Sequence, residues 1–241
     1  MLISIHQGKS IKNHFIDCII EILCTVYTLV QKFKAFVDNP QTILQEINTE
    51  FLLILQEYVA NFNLTALYKV RVKFIAKICQ ADDNKFSWNG TVGEFYKKVM
   101  FPNILLKYHC TDCNKDSYEH CNIIKLPYKQ LLHDNSIVQL TFQPGDQCEI
   151  CKKSDVSTEI EVNYLLCFDV EESTNDAINL NDIQVELKLG PQTLILMGAI
   201  GFQEPIQTQK LRHYIAYSRN FNGSWLKYDN AQSSSKISGL Q

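Results

Sequence analysis

Two Cys-x-x-Cys pairs constrain this chain more than any other sequence feature. Cys110 and Cys113 form the first pair, and Cys148 and Cys151 form the second pair after a spacer of 34 residues. Four thiolates are the ligand set of a closed tetrahedral zinc site, and each pair can present two sulfurs to one ion. We therefore predict a structural zinc ion held between two knuckles, each at the tip of its own hairpin.

Other interpretations of these cysteines are four unpaired thiols or a redox pair. A redox Cys-x-x-Cys motif normally opens a helix in a thioredoxin-like unit, so zinc is the better interpretation. His109, His120 and Cys121 lie near the first pair and could substitute as ligands, but they break the paired pattern. We leave these three residues outside the predicted site.

The totals allow one large globular domain or two small ones and favour a location inside the cell. The chain has 241 residues, of which 46% are apolar, and this is enough to bury a substantial core. A net charge of −3 gives no electrostatic footprint for nucleic acid. Neither a run of about 18 apolar residues nor a signal-peptide pattern is present, so we expect an intracellular protein. The odd count of nine cysteines fits a reducing compartment, the cytoplasm or the nucleus.

Apolar residues recur at helical intervals through the first hundred residues. The predicted helices begin near residues 14–17, 40 and 65 and end near residues 36, 60 and 79. The lysines and the arginine of the third helix are expected on its solvated side. Thr91 and Glu94 match a capping box, which predicts a further short helix that ends before Pro102.

The second half of the chain has the pattern of a β-sheet. Short runs of β-branched and aromatic residues alternate with turns. The runs are Ile137–Phe142, Ile160–Cys167, Ile183–Leu189 and Thr193–Phe202. Because helices come first and strands later, the order indicates an α+β architecture and argues against repeated βαβ units.

A β-hairpin is predicted near the C-terminus, where residues 212–217 and 225–230 flank a polar turn. If the loop is centred on residue 221, His213 lies opposite Asp229, and an imidazole faces a carboxylate. A two-residue loop would instead set His213 opposite Gln232. The residues alone leave both registers open.

Several of these stretches together resemble the ubiquitin-specific proteases and the related SUMO isopeptidases. The segments 212–217 and 223–229 are similar to the family's His box, whose two strands carry the catalytic base and its orienting acid. By this resemblance His213 is the base and Asp229 orients it, although Asn230 replaces the second acid common in the family. The paired cysteines resemble the family's zinc-binding fingers, and Val92–Phe95 resembles the helix that precedes them.

The resemblance implies one papain-like α+β domain over residues 1–241. Residues 1–107 would form a helical thumb, residues 108–170 the zinc-ribbon fingers, and residues 171–241 an antiparallel-sheet palm that carries the His box. The implied cofactor is structural zinc. The implied partners are ubiquitin or SUMO, or a conjugate of either.

The nucleophile of this family lies in an N-terminal Cys box, and here the residues depart from it. The segment His14–Leu23 is similar to Cys-Tyr-Leu-Asn-Ser-Leu-Leu-Gln-x-Leu, with a closer likeness to the SUMO-isopeptidase form, so His14 takes the nucleophile position. Lys9 takes the place of the asparagine that helps to hold the oxyanion. An imidazole cannot replace a thiolate activated by a helix N-terminus and a neighbouring base. Cys18 lies one helical turn further, roughly 5–6 Å along the axis, and is more naturally a buried core residue.

Three hypotheses follow. The first is a pseudoenzyme that binds ubiquitin or SUMO or acts as a scaffold for another protein. The second is an active thiol isopeptidase with Cys18 as nucleophile, His213 as base and Asp229 as orienting acid. The third is a structural zinc-ribbon interaction protein whose cleft is unused.

Overall fold

Helices form most of the first hundred residues, as the apolar stripes predict. The computed structural model describes residues 2–6, 14–39, 46–61, 64–78, 80–82, 85–87, 91–127, 147–153, 156–171, 180–189, 191–203 and 213–229. Its helices are α1 (His14–Leu29), α2 (Gln31–Asp38), α3 (Glu46–Asn61), α4 (Leu64–Ile78) and α5 (Val92–Val99). None of the helices in these described ranges is long and apolar enough to span a membrane.

The first predicted helix is wrong in one respect, because it is two helices and not one. Val30 separates α1 from α2 and has an extended backbone, with φ −106° and ψ 96°. The resulting change of direction lets α2 bury Phe33, Phe36 and Val37. Tertiary packing of an apolar face therefore overrides the continuous helical spacing in the sequence.

The predicted capping box at the start of α5 is confirmed. The Thr91 hydroxyl accepts a hydrogen bond from the Glu94 N–H at 3.1 Å, and the Glu94 carboxylate accepts one from the Thr91 N–H at 2.7 Å. Two backbone donors at the helix start are satisfied in this way. The helix then buries Phe95 and Tyr96 against the core.

The strands are short and mostly follow α5, as predicted. They are β1 (Leu2–His6), β2 (Gln80–Asp82), β3 (Lys85–Ser87), β4 (Ile104–Cys110), β5 (Lys115–Cys121), β6 (Ile124–Pro127), β7 (Val156–Val162), β8 (Cys167–Glu171), β9 (Glu186–Leu189), β10 (Gln192–Ile195), β11 (Gly198–Gln203), β12 (His213–Arg219) and β13 (Trp225–Tyr228). Two predicted runs, 160–167 and 193–202, are each divided between two strands. The predicted strand Ile137–Phe142 lies outside the described residues.

A six-stranded sheet forms the palm, in the order β13-β12-β11-β1-β8-β6. The expectation of an antiparallel palm is wrong, because β1 runs parallel to both of its neighbours and β6 runs parallel to β8. Only β11, β12 and β13 form antiparallel pairs within it. The N-terminal strand enters between strands that are distant in the sequence, so no hairpin connection determines its direction.

Helix α1 lies at the centre of the structure. It packs against β12 and β11 of the palm and against α2 and α3. The Phe15 ring lies 5.2 Å from Phe95 and 5.8 Å from Tyr214, so it joins three elements. A helix that is apolar on nearly every side is one that its fold buries, and α1 is buried in this way.

The finger is a separate three-stranded antiparallel sheet in the order β5-β4-β7. Ile104 and Leu106 are buried at its base, and Tyr108 and Ile160 are partly buried beside them. Strand β6 and all but the last residue of β8 lie within the sequence range predicted for the fingers, yet the two strands pair in the palm sheet. The described finger therefore consists of residues 104–121 together with 147–153 and 156–162.

Candidate functional site

The start of α1 coincides with the segment whose sequence resembles the Cys box. The helix begins at His14, the residue aligned with that nucleophile, as predicted. A helix N-terminus carries a partial positive charge that favours a thiolate and disfavours a protonated imidazole. The side chain of His14 lies outside the described part of the structure.

Cys18 lies one turn into α1 and is fully buried, with 0% of its surface exposed. Burial raises the pKa of this thiol far above its usual range, and the carboxylates of Asp17, Asp229 and Glu21 raise it further. The thiol is therefore protonated at neutral pH. A reactive cysteine needs a partly exposed and electropositive setting, and Cys18 has neither property.

An ion pair joins the first turn of α1 to α4. The Arg71 guanidinium lies 2.5 Å from the Asp17 carboxylate, and the two side chains are 19% and 22% exposed. The expectation that this arginine is solvated is wrong. Arg71 lies one turn before the buried Phe74 and Ile75, so it borders the apolar face of its helix.

The hairpin is present, but its register differs from both predicted registers. Ala216 pairs with Tyr228, and Arg219 pairs with Trp225. If this ladder continued by one pair, Asp229 would lie opposite Ile215, two residues beyond His213. The direct pairing of His213 with Asp229 is therefore wrong. The turn closes through a hydrogen bond from the Asn220 N–H to the Ser224 carbonyl at 2.8 Å, a loop length that the residues did not specify.

Asp229 is the site residue that the structure brings to α1. Its side chain is 7% exposed, and the Lys227 ammonium lies 3.6 Å from its carboxylate. The carboxylate is close enough to raise the pKa of both Cys18 and Tyr217, in each case after burial itself. His213 begins β12 and pairs with Gln203 of β11, and its side chain lies outside the described part of the structure.

Two further residues beside Cys18 were not identified from the sequence. Tyr228 lies near Asp17 and Arg71, and burial raises the pKa of its phenol to about 12. Tyr214 is buried, and this burial raises the pKa of its phenol. A tyrosine at a strand position usually indicates packing, so no local sequence signal marked these contacts.

The four cysteines of the predicted zinc site converge at the tip of the finger. Their Sγ atoms all lie within 4.8 Å of one another. Cys110 lies 3.6 Å from Cys151, and Cys113 lies 3.6 Å from Cys148. A zinc–sulfur bond of about 2.3 Å in a tetrahedron corresponds to sulfur–sulfur distances of roughly 3.8 Å. The donor set and its spacing therefore fit a zinc ion.

The two knuckles share a backbone conformation. Asn114 follows the first pair with φ 51°, and Lys152 follows the second pair with φ 61°. A hydrogen bond of 2.8 Å from the Lys152 N–H to the Cys148 carbonyl closes the second knuckle. Backbone N–H groups of Cys151 and Ile150 lower the pKa of the Cys148 thiol to about 6. Such donors stabilise the thiolate that a metal requires.

A helical half, a sheet that carries the His-box hairpin and a four-cysteine finger together define a fold similar to that of a ubiquitin-specific-protease domain. Among solved structures, the SAGA DUB module of Ubp8, Sgf11, Sus1 and Sgf73 bound to monoubiquitin contains a chain with 13% identity and a TM-score of 0.50. The alignment covers 95% of this chain and 63% of that chain.

A second structure of the same module is similar at 13% identity and a TM-score of 0.50, covering 95% of this chain and 62% of the other. This chain thus spans less than two thirds of the length of either match. No family model matches the sequence, and no curated protein matches it. The likeness is one of fold.

Proposed function

We propose that this protein is a ubiquitin-binding domain with the fold of a ubiquitin-specific protease that does not cleave its ligand. The observation that carries the proposal is the complete burial of Cys18 beside a helix start occupied by His14. Isopeptide hydrolysis by this route requires a thiolate at the helix N-terminus within reach of a general base. A protonated thiol inside the core does not meet that requirement.

The residues of the His box then have a different role. His213 and Asp229 keep the positions of base and orienting acid in the proposal, but without a thiol they activate no nucleophile. The buried Asp229 beside α1 instead contributes to the charge of the wall between helix and hairpin. The surface at the start of α1 and the end of this hairpin would serve to bind a chain terminus.

The finger supports the same proposal. Four thiolates close a tetrahedral site, so a zinc ion held by Cys110, Cys113, Cys148 and Cys151 would have no open position for substrate. Its role would be to hold the two knuckles together. Such a thiolate site is best preserved in a reducing compartment, the cytoplasm or the nucleus.

Ubiquitin is the first candidate for the ligand. The similar SAGA DUB module is bound to monoubiquitin, and this observation about that complex is the reason to prefer ubiquitin here. SUMO is the alternative, because His14–Leu23 is more similar to the SUMO-isopeptidase form of the Cys box. A scaffold role toward another protein partner is compatible with either ligand.

The test combines non-covalent binding with covalent capture. Calorimetric titration with ubiquitin and with SUMO should show saturable binding of ubiquitin. A ubiquitin that carries a thiol-reactive electrophile at its C-terminus should form no adduct with the native protein. Cys24→Ser is the matched control for Cys18→Ser, because Cys24 lies on the same helix, is 3% exposed and also has a pKa raised by burial.

The outcomes separate the three hypotheses. An adduct that forms in the native protein and in Cys24→Ser but not in Cys18→Ser would establish the active thiol isopeptidase and overturn the proposal. Absence of binding to both modifiers, in a protein that retains its metal, would favour the zinc-ribbon interaction protein. Binding of ubiquitin without an adduct is the expected result.

A further inference from the structure

Strand β5 is an exposed edge of the finger sheet. Within the described part of the chain, no strand pairs with its outer side. Residues 115–120 are all exposed, and the Tyr118 side chain is 62% exposed. Its seven-residue ladder with β4 is continuous, so neither a bulge nor a proline protects the edge. An edge of this kind presents unpaired N–H and C=O groups to an added strand.

A cavity of about 680 Å³ lies between this edge and the second knuckle. Its volume is within the usual range for ligand pockets. The walls include Tyr108, Tyr118, Glu119, Cys148, Glu149 and Lys152. The Tyr108 hydroxyl donates a hydrogen bond of 3.0 Å to the Glu119 carboxylate, which holds that charge against the wall.

The lining has the chemistry of a site for a basic side chain. The lining residues include two carboxylates, Glu119 and Glu149, and one ammonium, Lys152, so the walls carry an excess of negative charge. Tyr108 lies on the same face of the sheet as Glu119, and its ring favours a cation over water. Arginine suits such walls better than lysine, because its guanidinium is planar, stacks on aromatic rings and is weakly hydrated.

We propose that the finger binds an extended segment of a partner protein that adds a strand to β5 and places an arginine side chain in this cavity. Strand addition supplies affinity through backbone hydrogen bonds, and a pocket for one alternate side chain supplies specificity. The cavity lies beside the second knuckle at the finger tip, whereas Cys18 and Asp229 lie at α1 and the hairpin. This partner surface is therefore additional to the proposed ubiquitin site.

A labelled peptide tests both elements with the zinc-loaded protein. The probe is a ten-residue peptide of alternating threonine and valine with one central arginine, and its binding is followed by fluorescence anisotropy. Replacing the arginine by citrulline, a neutral analogue of the same shape, should weaken binding. Glu149→Gln and Glu119→Gln should each weaken it by roughly 2- to 5-fold, the range of exposed charge pairs.

Glu159→Gln is the matched control. It makes the same chemical change on the opposite face of the finger sheet, where Glu159 pairs with Lys107 and not with the cavity residue Tyr108. Binding in this variant should equal that of the native protein. Two further peptides carry N-methyl groups on either the odd-numbered or the even-numbered residues. Only one of the two should lose binding, because an added strand uses only one alternate set of its N–H groups.

Five results would overturn the proposal. The first four are absence of binding of the arginine peptide at about 1 mM, roughly ten times a weak contact's Kd, equal binding of the citrulline peptide, equal effects of the two N-methylated peptides, and displacement of the peptide by ubiquitin. Such displacement would assign this edge to the modifier itself. A dimer of this chain that excludes the peptide would assign the edge to a second copy and would likewise refute the proposal.

Discussion

Replacement of Cys148 by serine should remove the metal and unfold the finger while the helical core stays folded. The finger has little core of its own, because Ile104, Leu106 and Val162 are the only buried aliphatic side chains of its described strands. Burial of three such side chains supplies roughly 4.5–9 kcal/mol. Ordering the seven residues of β5 costs roughly 7–14 kcal/mol of backbone entropy.

The bound metal has to supply the free energy by which the entropy cost of ordering the finger exceeds the gain from side-chain burial. A structural zinc site in small peptides contributes about 10–16 kcal/mol at neutral pH, which exceeds this deficit of several kcal/mol. Without it, the population of the folded finger should fall by about 1,000-fold or more, since tenfold corresponds to about 1.4 kcal/mol. Amide protection in residues 104–121 and 147–162 should therefore be lost.

Hydrogen exchange read by mass spectrometry, together with metal analysis, measures both effects. The native protein should hold about one equivalent of zinc, as expected for one closed four-thiolate site. Cys121→Ser is the matched control, because Cys121 lies on β5 in the same finger but outside the sulfur cluster. Less than one equivalent in the native protein, or unchanged finger protection in Cys148→Ser, would refute the reasoning.

Other predictions concern the contacts around α1 and α5. Because burial raises the pKa of Cys18, its neutral thiol contributes fully to the free energy of unfolding below the ordinary thiol pKa of about 8.5. Above that pH the contribution declines by about 1.4 kcal/mol per pH unit. Urea unfolding at pH 7.5–10 should show a slope that is smaller in Cys18→Ala by about this amount, because the buried Cys24 and Cys167 keep their own contributions; an unchanged slope would contradict it. Arg71→Met should lower the unfolding free energy by about 1–2 kcal/mol, less than for a fully buried pair, and Asp17→Asn should partly restore it. Gly93→Ala should destabilise by about 1–3 kcal/mol, because the new Cβ would lie 2.3 Å from the Asp169 carboxylate, and Asp169→Ser should relieve this. For these last two predictions, chemical denaturation of the two single variants and of the double variant measures the free energies of unfolding. Additive effects of the two substitutions would contradict the prediction.

Ubiquitin capture and peptide binding probe different faces of the molecule. Failure to bind ubiquitin together with binding of the arginine peptide would refute the proposed function and support strand addition at β5. Binding of ubiquitin without binding of the peptide would support the proposed function and refute strand addition at β5. The two proposals therefore stand or fall separately.

Local chemistry made part of this structure predictable. The two cysteine pairs converge as predicted because each knuckle is a four-residue unit that presents its own two sulfurs. The capping box at Thr91 forms because donor and acceptor are only three residues apart. The start of α1 and the strands of the C-terminal hairpin likewise follow from periodicity over short windows.

Long-range contacts decided the rest. Strand β1 enters the palm between two strands that are more than 150 residues away, so its parallel direction has no local signal. The hairpin register depends on a loop that several turn types could form, and one residue of slip changes every cross-strand pair. Arg71 is half-buried because α4 meets α1, which the pattern of α4 alone does not show.

The sequence by itself determined the mixed helix and sheet content, the four cysteines that could hold a metal and the position of His14 at a helix start, because each depends on residues close together in the chain. Only the tertiary structure decided the state of the Cys18 thiol, the alternative nucleophile of the second hypothesis. Cys18 belongs to a buried cluster to which helices α1–α5 and strand β12 all contribute, and the Asp229 carboxylate raises its pKa from a distant part of the sequence. The pKa of a group depends on the residues that surround it in space, and the residues adjacent to it in the sequence do not determine that environment.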